Sequence, residues 1–439
     1  MHATHTSPAE DRLYRRIAWR LLPVLLLAYV IAFIDRVNIG FAKLQMQGNL
    51  GFSDAVFGLG AGLMFVGYCF FEVPSNMLLV RIGIRRTLLR IMVLWGTTTV
   101  AMLFVRSPRA FYVLRFLLGV FEAGLFPGVI VYLTHWFPDY RRGRVIGLFM
   151  SGTLIGNVIS GPLSGAAMKF LDGVGSLAGW QWLYITQGVP AIILGIVAYL
   201  WLTERPADAA WLSASDKAVV MAQLAGRPEA DSASLADALI IVKDRRFLLL
   251  VLIDFLIVGG SYTLVFWGPT LIRSWGVTDV FVIGLLSALP GVLGVAGIVW
   301  SSRHSDMTRE RRWHFAGACL LAAVGLWLTT ITRGQLILSV AALCLATLGI
   351  ASTVPLLITA ATDYIPPRKR NIGIPLLTSL GILGGFASPA VTGLINARTG
   401  NPVCSIYLMI VLFVVAGGLI LVTLPARFRA GPAACEVQG

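Results

Sequence analysis

The chain has 439 residues, 57% of them hydrophobic and 13% charged, with 46 glycines and a formal net charge of +14. Soluble domains carry about a quarter charged residues, so a chain this poor in charge cannot cover a water-exposed surface and belongs in a bilayer. The basic excess does not point to nucleic acid, because the Lys and Arg residues sit in short clusters between apolar runs without interleaved aromatics.

Taken from the start, Arg12, Arg15, Arg16 and Arg20 precede an apolar stretch from Leu21 to Ile34. A signal peptide has this shape, but many apolar stretches follow, and the segment reads as a first membrane helix that stays in place. A spanning helix needs about 20 mostly apolar residues. Stretches of that kind fall near 21–43, 56–79, 87–105, 110–136, 144–168 and 181–203, then near 247–273, 280–302, 314–332, 336–361, 372–396 and 403–425. The expectation is an all-α membrane protein with twelve transmembrane helices in two six-helix halves, 1–203 and 246–439.

The interval 204–245 is the one long polar segment, with Pro206, Pro228 and the run Glu229-Ala-Asp-Ser-Ala-Ser. It reads as a cytoplasmic linker with a short amphipathic helix around 213–224. Orientation follows from the basic residues, which are retained on the cytoplasmic side. With both termini inside, 26 of the 35 Lys and Arg fall on cytoplasmic ends and loops, and seven on the outer side. Only Arg36 and Arg115 are left within the membrane.

The halves repeat each other. Leu118-Gly-Val, Trp-Phe-Pro-Asp-Tyr-Arg-Arg and Ser160-Gly-Pro-Leu-Ser-Gly correspond to Leu348-Gly-Ile, Tyr-Ile-Pro-Pro-Arg-Lys-Arg and Ser388-Pro-Ala-Val-Thr-Gly. Repeated halves are a signature of secondary transporters. The cysteines Cys69, Cys319, Cys344, Cys404 and Cys435 have no metal-ligand or redox spacing, and the five histidines do not cluster. No metal and no cofactor is expected, and no nucleophile–base set suggests an enzyme.

Ionised side chains inside membrane helices cost about 2.5–3.5 kcal/mol on insertion scales and mark functional sites by default. The spans hold Asp35, Arg36, Glu72, Arg115, Glu122 and Asp254. At about 1.5 Å per residue, Asp35 lies roughly 21 Å along the first helix, and Arg115 comes to a similar depth on the fourth. Glu122 lies two turns deeper on the same face, a desolvated carboxyl suited to taking a proton. Asp35 and Arg36 are neighbours pointing about 100° apart. Asp35 is therefore expected to reach Arg115, which leaves Arg36 facing the cavity, where its planar fork suits a carboxylate. Glu72, just before Pro74, reads as a gate or a structural residue. Tyr68, Thr153, Tyr262, Trp267, Ser352, Thr353, Thr378 and Ser379 are candidates for shaping the substrate.

Several strings carry a family resemblance. They are Tyr29-Val-Ile-Ala-Phe-Ile-Asp-Arg-Val-Asn-Ile-Gly-Phe-Ala, Gly67-Tyr-Cys-Phe-Phe-Glu-Val-Pro-Ser-Asn and Gly119-Val-Phe-Glu-Ala-Gly-Leu-Phe-Pro-Gly, with Thr134-His-Trp-Phe-Pro, Gly179-Trp-Gln-Trp-Leu-Tyr, Glu204-Arg-Pro-Ala-Asp-Ala-Ala-Trp-Leu and Phe266-Trp-Gly-Pro-Thr. The chain resembles the major facilitator superfamily, and within it the anion:cation symporters such as tartrate, phthalate and sugar-acid permeases. The resemblance implies proton-coupled symport of a small carboxylate across the inner membrane, by a monomer, with protons carried at Asp35 and Glu122 and the anion held at Arg36. It implies gates at the loop containing Arg81 and at its second-half counterpart containing Asp306.

The chain departs from the family pattern in places. Asn76, Val80 and Ile84 stand where the superfamily loop usually has Gly, Asp and a basic residue, and Ile382 follows Gly381 where many relatives have Asn. An anion exchanger, an efflux antiporter and a non-transporting sensor remain as alternatives. Gly156-Asn-Val-Ile-Ser-Gly-Pro-Leu-Ser-Gly is similar to an antiporter motif.

Overall fold

Helix starts are written locally in this chain. In a computed structural model, which describes residues 7–225 and 240–424, Ser7 caps the first helix by accepting from the Glu10 N–H, Pro8 occupies the first turn, and Glu10 and Asp11 face the helix dipole. Ser107 with Pro108 opens a later helix the same way, and Asp279 caps another by accepting from Phe281 and Val282.

Among the described residues, twelve helical segments are long and apolar enough to cross a membrane. We number them spans 1–12: Pro8–Leu50, Asp54–Ile82, Ile84–Phe104, Pro108–Thr134, Asp139–Phe170 and Gly179–Trp201, then Arg245–Ser274, Val280–Thr308, Arg312–Ile331, Leu336–Tyr364, Ile372–Thr399 and Val403–Thr423. The all-α, twelve-span reading holds.

Three spans are interrupted in the middle. Span 4 stops at Glu122, passes through extended Ala123 and left-handed Gly124 (φ +92°), and restarts at Leu125. Span 1 is interrupted at Asn38 and span 11 at Ile382 and Leu383, and all three residues keep right-handed helical angles. A broken helix inside a membrane is tolerated where its freed backbone groups are buried in protein or face a cavity.

By packing, the described residues form two units. The first takes residues up to Met46 and from Val66 through the short helix Ala214–Ala225. Within it, span 1 lies on span 5, and span 3 lies on span 6. Spans 3 and 6 touch backbone to backbone at Gly96 and Gly188: a Cβ on either would come within 2.7 Å of the other's carbonyl oxygen. Small residues permit this approach, which brings dispersion and interhelical hydrogen bonds into range.

The segment after span 6 is docked rather than loose. Trp211 stacks on Trp136 at 5.6 Å, Ala209, Leu212 and Val220 are buried, Asp216 pairs with Arg16, and Gln223 accepts from Tyr14 at 2.8 Å. The expected amphipathic helix is present. Pro228 and the run Glu229-Ala-Asp-Ser-Ala-Ser lie outside the described residues.

The second unit joins spans 7–12 with Gln47–Phe65. Gly58 and Gly62 let that stretch lie directly on the span 11 backbone at Pro389, Gly393 and Phe386.

Candidate functional site

The buried charges of the first unit form one cluster, but its pairing differs from the expectation. Asp35 is fully buried and accepts three hydrogen bonds from neutral donors: Asn38 Nδ2 at 2.9 Å, Trp95 Nε1 at 2.7 Å and Thr99 Oγ1 at 3.0 Å. Asn38 also donates to Gln187 at 2.8 Å, and Gln187 to Ser164 at 3.2 Å, so the network crosses spans 1, 3, 6 and 5. Arg115, fully buried on span 4, lies within electrostatic range of Asp35, Glu122, Arg36 and Tyr184. The expected Asp35–Arg115 pair is therefore corrected. Equal depth does not make contact, and the phase of span 1 delivers Asp35 to the Trp95 and Thr99 face of span 3.

Arg36 is corrected too. Instead of facing open space, its guanidinium pairs with Glu122 Oε1, and its Cζ lies 5.4 Å over the Tyr68 ring. The Arg36 side chain stays 17% exposed against 2% for Glu122. Glu122 Oε2 is buried and has no hydrogen-bond partner.

The break in span 4 begins directly after Glu122, which places this carboxylate at the end of a half-helix. Gly124 makes the break possible. Its φ lies in the left-handed region, and a Cβ there would come within 2.5 Å of Ser75 Oγ on span 2. Ser75 in turn accepts from Arg90 at 2.6 Å.

Asn38, Trp95, Thr99, Gln187 and Tyr184 were not singled out in the sequence. Each is a polar-tipped residue in an apolar span, and Asn38 stands in the quoted Asp-Arg-Val-Asn string, so a weak signal existed. Pairing them needed the rotation of each helix.

The other candidates are placed as follows. Tyr68 is buried in the cluster. Thr153 donates to its own helix at Met150, as Ser352 does to Leu348 and Thr353 to Ile350, the usual resort of a hydroxyl in a membrane helix. Thr378 likewise donates to the Ile374 and Pro375 carbonyls. Tyr262 packs 4.4 Å from Phe65, Trp267 is buried, and Ser379 is half-buried.

Glu72 is half-buried and acts electrostatically on Tyr68 and Cys69. Arg81 is exposed. In its loop, the carboxylate missing at Val80 is supplied by Glu204, which accepts from the Ile84 N–H at 2.5 Å and the Arg85 N–H at 3.3 Å. Arg85 then clamps the Tyr199 carbonyl. Asp306 pairs with Arg311 at 2.6 Å, and Arg311 also reaches Asp363 of span 10 at 3.3 Å. Beside them, burial opposes ionisation of Glu310, but N–H donors from Trp313 and His314 outweigh it and hold this carboxyl below its usual range.

A family model described as the Major Facilitator Superfamily matches residues 25–389. The chain belongs to the major facilitator superfamily. Its relatives are transporters rather than enzymes. It is 42% identical to a protein of Agrobacterium vitis provisionally named a tartrate transporter, over 95% of both chains. It is 42% identical to NicT of Pseudomonas putida, provisionally named a metabolite transport protein, over 94% of this chain and 95% of that one. It is 37% identical to a quinolone resistance transporter of Acinetobacter baumannii, over 94% of each. In fold it is similar to a bacterial homologue of the human lysosomal transporter Spinster, with a TM-score of 0.79 and 19% identity, covering 92% of this chain and 96% of that one.

Proposed function

We propose that this transporter carries a small organic anion together with protons across the cytoplasmic membrane by alternating access. The six-span halves are 1–203 and 246–439, joined by 204–245. Both termini face inward in this reading, which the 26-to-7 distribution of basic residues supports. The observation that carries the reading is the part-exposed Arg36 paired with buried Glu122 at the break in span 4.

One guanidinium has two suitors. A substrate carboxylate competes with Glu122 for Arg36, and protonating Glu122 withdraws its charge from the pair. The freed fork then takes the carboxylate in two parallel hydrogen bonds. Proton and anion thereby favour each other's binding, and thermodynamic linkage makes the preference reciprocal. Asp35 is the second proton carrier, with Arg115 tuning the field around both carboxyls. Tyr68 walls the guanidinium.

Thr153, Tyr262, Trp267, Ser352, Thr353 and Ser379 shape the rest of the substrate, and Glu72, Arg81 and Asp306 act at the gates. The substrate class is a tartrate-like dicarboxylate, a sugar acid or an aromatic carboxylate, and the 42% identity to the tartrate-named relative favours the first. The test is uptake into proteoliposomes of purified monomer with and without an inward proton gradient. Gradient-driven accumulation of a carboxylate is expected, and accumulation indifferent to the gradient would sink the coupling.

A second reading has its own support in the quinolone-resistance relative and in the Gly156–Gly165 stretch of span 5. It is export by exchange. Flux that runs only against an opposing solute or proton gradient would establish it in place of symport.

A further inference from the structure

Asp254 lies within span 7 and is 2% exposed. Burial dominates its surroundings: among the described residues, no hydrogen-bond donor and no cation is paired with it, and no neighbouring charge acts on it. Span 7 packs against spans 8, 10, 11 and 12, and the titratable groups on those spans are engaged elsewhere. On span 8, Asp306 pairs with Arg311 and His304 with His314. On span 10, Asp363 pairs with Arg311 and Tyr364 with Asp244. Arg303, Arg398 and Tyr407 are exposed, and neither of the remaining thiols, Cys344 and Cys404, acts electrostatically on Asp254.

The carboxyl rests instead against Gly381, just before the interruption of span 11. A Cβ at Gly381 would collide with Asp254 Oδ2, and a Cβ at Gly384 would collide with the Phe255 carbonyl. One turn further on, Gly259 abuts Ser388, and Thr263 bonds to Ser388 at 2.6 Å. Spans 7 and 11 are thus drawn tightly together around a carboxyl with nothing to offset a charge. An ionised carboxylate in such a place costs several kcal/mol, a cost that the neutral acid avoids.

We propose that Asp254 is a further proton-binding site of this transporter, one that holds its proton while span 11 lies against span 7 at Gly381 and gives it up when that contact opens. On opening, water reaches the carboxyl. The O–H bond then breaks, the oxygen keeps the electron pair, and the proton passes to water. The inference uses neither Arg36 nor Glu122, and it stands or falls apart from the substrate reading above.

The experiment is infrared spectroscopy of the full-length protein in lipid at neutral pH, reading the carbonyl stretch of protonated carboxylic acids. A band present in the wild type, absent in Asp254→Asn and kept in Glu122→Gln is expected. Identical bands in the wild type and Asp254→Asn would overturn the proposal. Should Asp254→Asn fold poorly, isotope-labelled aspartate in an Asp35→Asn background gives the same reading, because the label must shift the band. Gly381→Ala, which wedges the two spans apart, should weaken the band several-fold, and a band of unchanged strength there would break the link to span 11.

Discussion

Arg36 of span 1 and Glu122 of span 4 meet as an ion pair where span 4 loses its helical backbone, with Tyr68 over the guanidinium. Arg115 lies within electrostatic range of both partners, so changing the charge of either one shifts the balance of the whole cluster. Breaking a buried pair from one side typically costs about 3–5 kcal/mol, because the remaining charge is stranded.

Arg36→Ala should therefore abolish carboxylate binding, and Arg36→Lys should recover only part of it, because a lysine offers a point charge where the site needs a fork. Glu122→Gln should do the opposite. It removes the competitor for Arg36, so carboxylate binding persists, while accumulation driven by a proton gradient is lost and exchange continues. Thermal-shift titration with candidate carboxylates, which stabilise only the folded state they bind, measures the first effect. Counterflow in proteoliposomes measures the second.

Trp95→Phe removes one of the three donors to Asp35 and keeps most of the ring. A hydrogen bond to a charged group is worth about 1.5–3 kcal/mol, so the variant should melt lower and take up substrate with an altered pH profile. Thr99→Val, which removes another donor, should act in the same direction. A pH profile unmoved by both would show that Asp35 has no part in coupling.

Gly124→Ala should be costly out of proportion to one methyl group. The left-handed backbone adds about 1–2 kcal/mol, and the new Cβ meets Ser75. Gly143, at which a Cβ would meet nothing within 4 Å, is the control. Melting of the two alanine variants should separate by several degrees. Equal melting would mean that the break in span 4 relaxes freely.

Glu310 offers a test outside the membrane. Its carboxyl is held below the ordinary range by donors at the start of span 9, so it stabilises the folded state fully above the ordinary carboxylate value. That contribution fades as pH falls towards and through its lowered folded value. Glu310→Gln should lower the melting temperature at neutral pH and make no difference in acid. A gap that persists in acid would assign the effect to packing.

Apolar run length was enough to lay out the spans, because bilayer thickness and backbone satisfaction leave a chain few choices. The stretches near 144–168 and 372–396 lie within spans 5 and 11. The candidate site was legible as a set of residues, since a charge in a membrane helix is conspicuous wherever it points. Asp35, Arg36, Arg115 and Glu122 were all visible that way.

Their partners were not visible. Whether Asp35 meets Arg115 or the Trp95–Thr99 face depends on the rotation of span 1 against spans 3 and 4, and sequence spacing fixes phase only within one helix. The break after Glu122 was likewise hidden inside an apolar run, although Gly124 and Pro127 mark it in retrospect. Asp254 shows the same division. Its burial could be read from the run around it, but its lack of a counter-charge and its contact with Gly381 depend on how spans 7 and 11 pack. Composition determined that this chain lives in a membrane and where it crosses. Helix rotation and close packing at glycines, which are properties of the assembled bundle, decided which buried charges meet.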